Sequence, residues 1–95
     1  MIIIYDNQYG KTYRNITDVS IKSVTIFGVL KYRIEFWFND GKKDFLWLDP
    51  SPTRRYCYIQ LGDEQYGYEE IKKDELKFKM KLTNELTKAA LEVLE

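Results

Sequence analysis

The segment "YRIEFWFNDGKKDFLWL", Tyr32 to Leu48, constrains the fold more than any other part of the chain. Two runs with period-two alternation flank Asp40-Gly41, a leading short-range signal for a β-hairpin. Bulky apolar groups occur in both phases of that alternation, so both faces of the hairpin carry side chains that avoid water. Two registers are open. A two-residue turn at Asp40-Gly41 sets Phe36 opposite Phe45 and Ile34 opposite Trp47 in the core. It leaves Arg33, Glu35 and Trp37 against Leu48, Leu46 and Asp44 on the outer face. A three-residue turn, Asn39-Asp40-Gly41 with Gly41 left-handed, shifts the pairing by one. Ile34 then meets Leu46 and Tyr32 meets Leu48 in the core. The outer face pairs Arg33 with Trp47, Glu35 with Phe45 and Trp37 with Lys43, an aromatic platform edged by charge with cation–π geometry within reach. In either register Trp37 points away from the core together with further bulky groups. Such a patch is covered within the chain, buried in a homodimer, or used for a partner.

The rest of the chain supplies strands for that hairpin to join. Ile2 to Tyr5 is a short apolar run, followed by turn chemistry at Asp6, Asn7 and Gly10. Val19 to Phe27 is rich in β-branched residues and reads as a strand. Its alternation changes phase, with Val19 and Ile21 on one face and Val24 and Ile26 on the other. A bulge near Ser23 accounts for that, as does a strand covered on both sides. Pro50 and Pro52 end the hairpin's second strand, since proline cannot donate to a ladder. Arg54 to Leu61 reads as another strand, with Cys57, Ile59 and Leu61 on one face, and "GDEQYG" after it as a loop.

In the C-terminal third, Leu76, Phe78, Met80 and Leu82 alternate with charged residues, the pattern of a half-exposed strand. A single helix from Glu69 to Leu94 would place Lys72, Glu75 and Lys79 in its apolar arc. The expectation is therefore a strand at 75–82 and a helix from Asn84 capped by Thr83, with Leu86, Ala90, Val93 and Leu94 facing the sheet. The fold class is α+β: an antiparallel sheet of five to six strands, open or barrel-like, with one C-terminal helix packed on it. Ninety-five residues are read as a single domain, 1–95.

Composition narrows the function classes. Formal net charge is zero, unlike the strong positive excess of general nucleic-acid coat proteins. The charge is blocked along the chain, at +3 over residues 1–60, −4 over 61–71, +3 over 72–81 and −2 beyond. No apolar run is long enough for a membrane span or a signal peptide, so the expected location is cytoplasmic, without membrane contact. Lysine outnumbers arginine eleven to four and alanine occurs only twice, a bias that AT-rich codons produce and that points to a low-G+C bacterium or its mobile elements.

The chain has no histidine, which removes the usual general base, the commonest metal ligand and every histidine-dependent triad. Cys57 has no base partner in the sequence and reads as structural. Asp63, Glu64, Glu69 and Glu70 lack the spacing of a calcium loop. No phosphate-binding glycine loop is present. The expectation is a protein that is not an enzyme and takes no cofactor and no metal.

Two binding readings remain. The first is a small protein that acts by protein–protein contact through Trp37, Leu46 and Trp47 of the hairpin, and through Tyr66, Glu69 and Glu70 of the acidic segment "GDEQYGYEE". Its concrete form is a phage- or mobile-element-encoded inhibitor of a host defence or nucleic-acid enzyme. A homodimer through the exposed hairpin face belongs to the same class. The alternative is a single-stranded nucleic-acid module, with Arg54 and Arg55 on phosphates and Tyr56 and Tyr58 stacking on bases.

Overall fold

The computed structural model describes residues 1–6, 9–50 and 57–94. Strands β1 (Ile2–Asp6), β2 (Lys11–Tyr13), β3 (Ile16–Ile26), β4 (Val29–Phe38), β5 (Lys43–Leu48), β6 (Cys57–Leu61) and β7 (Glu64–Tyr66) precede helices α1 (Tyr68–Lys73) and α2 (Glu75–Leu94). The class is α+β, but the strands form two antiparallel sheets in place of the single sheet expected. One is four-stranded, in the order β2-β1-β6-β7, and the other is a three-stranded meander, β3-β4-β5.

Each sheet contributes one apolar face to a common core. Ile2 and Ile4 of β1 pair with Leu61 and Ile59 of β6. From the meander come Val19, Tyr32, Ile34, Phe36, Leu46 and Leu48, and from the helices Tyr68, Ile71, Phe78 and Leu82. Ile4, Ile34, Phe36, Ile59, Ile71 and Phe78 are completely buried.

The hairpin takes the three-residue turn. Tyr32 pairs with Leu48, Ile34 with Leu46, Arg33 with Trp47, Glu35 with Phe45 and Trp37 with Lys43. The Gly41 N–H donates to the Phe38 carbonyl at 3.0 Å, and Gly41 holds φ at +84°, which glycine adopts without steric cost. Asp40 fixes the turn further, since its Oδ1 accepts the Lys42 N–H at 2.9 Å.

Three local expectations are corrected. First, no bulge falls near Ser23: β3 and β4 pair without interruption from Asp18 to Ile26, and the irregularity lies between Ile16 and Asp18. Second, "GDEQYG" is not wholly a loop. Gly62 and Asp63 turn the chain so that Leu61 pairs with Glu64, and Glu64–Tyr66 becomes an edge strand.

Third, residues 75–82 are helical. Asp74 breaks the C-terminal segment into two helices: its N–H closes α1 on the Glu70 carbonyl, and its Oδ1 accepts the Lys77 N–H at 3.0 Å as an N-cap. The break resets the helix face. Phe78 and Leu82 are buried with Glu75, Glu85, Leu86 and Ala89 half-buried beside them, while Lys72 and Lys79 stay in solvent. Thr83 is not a cap; its hydroxyl donates to the Lys79 carbonyl at 2.9 Å inside α2. Ala90 is exposed, against the expected apolar face, and the side chains of Val93 and Leu94 lie outside the described ones.

Candidate functional site

The outer face of the three-stranded sheet carries the most distinctive surface of the molecule. The register places Arg33, Glu35 and Trp37 of β4 beside Trp47, Phe45 and Lys43 of β5. The Arg33 guanidinium lies 4.3 Å from the Phe45 ring centroid and 5.5 Å from that of Trp47, and Lys43 Nζ lies 5.2 Å from the Trp37 ring. Glu35 sits between the two cations, with Arg33 Nε at 3.0 Å and Lys43 Nζ at 3.1 Å. Lys43 first, and Arg33 with it, hold the Glu35 carboxyl below its ordinary pKa. The carboxylate thus fixes both cations against aromatic rings, each with its charge on the ring's electron-rich face.

None of the residues of this face, from Ser20, Lys22 and Val24 on β3 across to Phe45 and Trp47 on β5, is fully buried, and Phe45 is 48% exposed. The opposite phase of the same strands supplies Val19, Tyr32, Ile34, Phe36, Leu46 and Leu48 to the core. That asymmetry explains why apolar residues occur in both phases of the hairpin: one set folds the protein and the other is displayed.

Of the hairpin residues expected to bind, Trp37 and Trp47 share this platform. Leu46 does not, because the three-residue turn sends it inward, where it is 7% exposed. Arg33 and Phe45 take its place. The acidic-segment residues lie elsewhere and are not brought together as a set. Tyr66 is buried with its ring 5.3 Å from that of Phe78, and its hydroxyl donates to Glu64. Glu69 and Glu70 are exposed in the first turn of α1, where a Glu70 oxygen accepts the Gly67 N–H at 3.1 Å. They line a groove with Asp49, Pro50, Tyr58 and Tyr68.

Of the residues of the nucleic-acid alternative, Tyr58 alone lies among the described ones. Arg54, Arg55 and Tyr56 lie outside the described residues. Tyr58 stacks on Tyr5 at 4.5 Å and 25°, on the four-stranded sheet rather than beside Trp37. Cys57 is half-buried and its thiol donates to Asp6 Oδ1 at 3.3 Å. Among the described residues no group of three or more carboxylates and cysteines is arranged to hold a metal ion, and no helix is long and apolar enough to cross a membrane.

One exposed feature escaped the sequence reading. The β3–β4 hairpin runs past the end of β5 and turns at Phe27-Gly28, with Ile26 paired to Val29. Phe27 is fully exposed, and Ile26 and Val29 are exposed beside it. The signal was the phase change in "VSIKSVTIF". With continuous pairing, it moves Val24 and Ile26 from the core face to the outer face.

Against known proteins, the chain matches no family model, and neither the curated proteins nor the solved structures yield a significant match.

Proposed function

We propose that this chain is a small binding protein that acts by protein–protein contact through the platform Arg33, Trp37, Phe45 and Trp47. The observation that carries the reading is the display of three aromatic rings and two ring-stacked cations on one sheet face, none of them buried. Trp, Tyr and Arg dominate the energetics of protein interfaces, the aromatics because they bury much area at little conformational cost and Arg because its planar guanidinium both stacks and hydrogen-bonds. Glu35 preorganises the cations, which lowers the entropy lost when a partner docks.

The specific form we propose is an inhibitor carried by a phage or mobile element that occupies a host defence or nucleic-acid enzyme. The lysine-rich, alanine-poor composition supports such a source. The blocked charge supports recognition by complementary patches.

The test is a photo-crosslinking residue at position 45 in cells of the source, with the same residue at exposed Thr12 as control. A protein crosslinked at 45, absent at 12 and lost on Arg33→Glu, is the expected result. The protein reading fails if position 45 yields no such adduct. Tight, salt-sensitive binding of single-stranded oligonucleotides by the purified chain would instead favour the nucleic-acid alternative.

A further inference from the structure

Strand β3 pairs with β4 on one side, and no described strand pairs with its other edge. The phase of the β3–β4 pairing decides which backbone groups that edge presents. Phe27, at φ +51°, and Gly28, at φ +76°, form a two-residue turn, and the pair that flanks such a turn, Ile26 with Val29, exchanges both hydrogen bonds. Alternation then directs Val24, Lys22, Ser20 and Asp18 towards β4. The N–H and C=O groups of Thr25, Ser23, Ile21 and Val19 point outward. The far end of β4 gives the same phase: the Phe38 N–H donates to the Lys42 carbonyl at 2.9 Å on the β5 side, so Trp37 turns to β3 and its partner Asp18.

An unpaired edge of this kind is a template for a further strand. Among the described residues, the outward N–H of Val19 is met by the neighbouring Asp18 Oδ1 at 2.9 Å, and those of Ile21, Ser23 and Thr25 by no group of the chain. Ser23 and Thr25 are exposed and Ile21 is half-buried.

The charges along the strand say which further strand fits. Asp18 and Lys22 are both exposed, and neither forms an ion pair with a described residue. Lys22 stands opposite Arg33, whose carboxylate partner Glu35 is shared with Lys43, so this part of the sheet has a cation to spare. Let two copies of β3 pair antiparallel about a two-fold axis at Ser20. Asp18 of each chain then meets Lys22 of the other, so the ion pair forms at both ends of the interface. The phase agrees with this register. Val19 and Ile21, which present outward backbone groups, become the hydrogen-bonded pairs. Asp18 and Lys22 fall in the non-hydrogen-bonded pairs, where side chains approach more closely. An axis at Ile21 would set Lys22 against Ser20 and Asp18 against Val24, and an axis at Lys22 would set the two lysines against each other.

We propose that the protein self-associates as a two-fold dimer through the open edge of β3, with the strands antiparallel and Ser20 on the axis. The Ile21 carbonyl of one chain takes over the Val19 N–H of the other, and the Asp18 carboxylate released in this way turns to Lys22. The two three-stranded sheets become one, with both Trp37–Trp47 platforms on the same face. The interface is a backbone edge, so the proposal does not rest on the function proposed above.

Sedimentation equilibrium of the full chain, from micromolar into the millimolar range, tests it. The wild type is expected to show a concentration-dependent dimer. Lys22→Glu sets carboxylate against carboxylate at both ends of the interface and should weaken the dimer by roughly tenfold or more. The same change gives Arg33 an opposite charge across the β3–β4 pair, so it should not lower the thermal midpoint of the dilute monomer. Asp18→Lys should also weaken the dimer, and the double variant should recover it by restoring the pair with reversed signs. The register has its own readout. In a Cys57→Ser background, mild oxidation should link Ser20→Cys into a disulfide dimer and leave Ser23→Cys, exposed but off the axis, as monomer. A monomer throughout the concentration range overturns the proposal and leaves the platform reading standing. So does a dimer indifferent to Lys22→Glu, which would place the contact elsewhere, or a Ser23→Cys chain that links as fast as Ser20→Cys.

Discussion

Phe27 shows how a single residue can be read against its own backbone. Its ring gains no burial, so the left-handed backbone it occupies is a cost without a local return. Strain of this kind is worth about 1–3 kcal/mol per residue. Phe27→Asn should therefore raise stability by about 1 kcal/mol and the thermal midpoint by roughly 4–8 °C for a domain of this size. A calorimetric scan of the two chains decides this. A fall in the midpoint would mean that the ring stabilises the hairpin by more than the backbone costs. Glu35 makes a second case at this scale. Its carboxyl is held below the ordinary value of 4.5 by Lys43 and Arg33, so the folded state releases its proton more readily than the unfolded one. The stabilisation is present above that ordinary value and is lost as pH falls through the lower folded value. The difference in thermal midpoint between the wild type and Glu35→Gln should be constant near neutrality and close on acidification below about pH 4.5. A difference that is unchanged down to strongly acidic pH would show that the carboxylate's charge is not what stabilises the platform.

Helix α2 is the element whose sequence misled, and the reason is geometric. Apolar residues at every second position fall about 200° apart on a helix, so Leu76, Phe78, Met80 and Leu82 divide into two opposed pairs. Phe78 and Leu82 enter the core, whereas Leu76 and Met80 are 70% and 60% exposed. A half-exposed strand would have buried all four on one side. The two readings separate experimentally: Phe78→Ala should cost about 3–5 kcal/mol, and Met80→Ala should stay within about 0.5 kcal/mol of neutral. Equal losses in chemical denaturation would restore the strand. The hairpin was more legible, because Asp40-Gly41 fixes a turn locally and alternation marks the strands. Its register was not, since apolar groups in both phases satisfy either pairing until the rest of the core chooses Leu46 and Leu48 over Phe45 and Trp47. Strand β7 was too short, at three residues, to show a period at all. The platform was legible as far as Arg33 and Trp37, which face outward in either register. Phe45 and Trp47 depended on the register, and the exposed tip at Phe27 depended on the absence of the bulge near Ser23.

At the scale of the whole molecule, the two sheets raise the question of whether they are one folding unit. Their inner faces do not form separate clusters. Ile4, Ile59 and Leu61 of the four-stranded sheet belong to the same buried group as Ile34, Phe36 and Leu48 of the meander, and Phe78 and Leu82 of α2 belong to it as well. A meander alone would expose that whole face, and a domain this small has little burial to spare. The arrangement therefore predicts one cooperative transition. Both tryptophans, Trp37 and Trp47, lie in the meander and report it by fluorescence, while the helical circular dichroism signal reports mainly α2. Unfolding curves from the two probes in urea should superimpose, as two-state behaviour requires. Phe36→Ala, deep in the meander, should move both midpoints together. If the tryptophan curve alone shifted, the meander would be unfolding by itself, and the platform it carries would stand on a separable unit rather than on the common core.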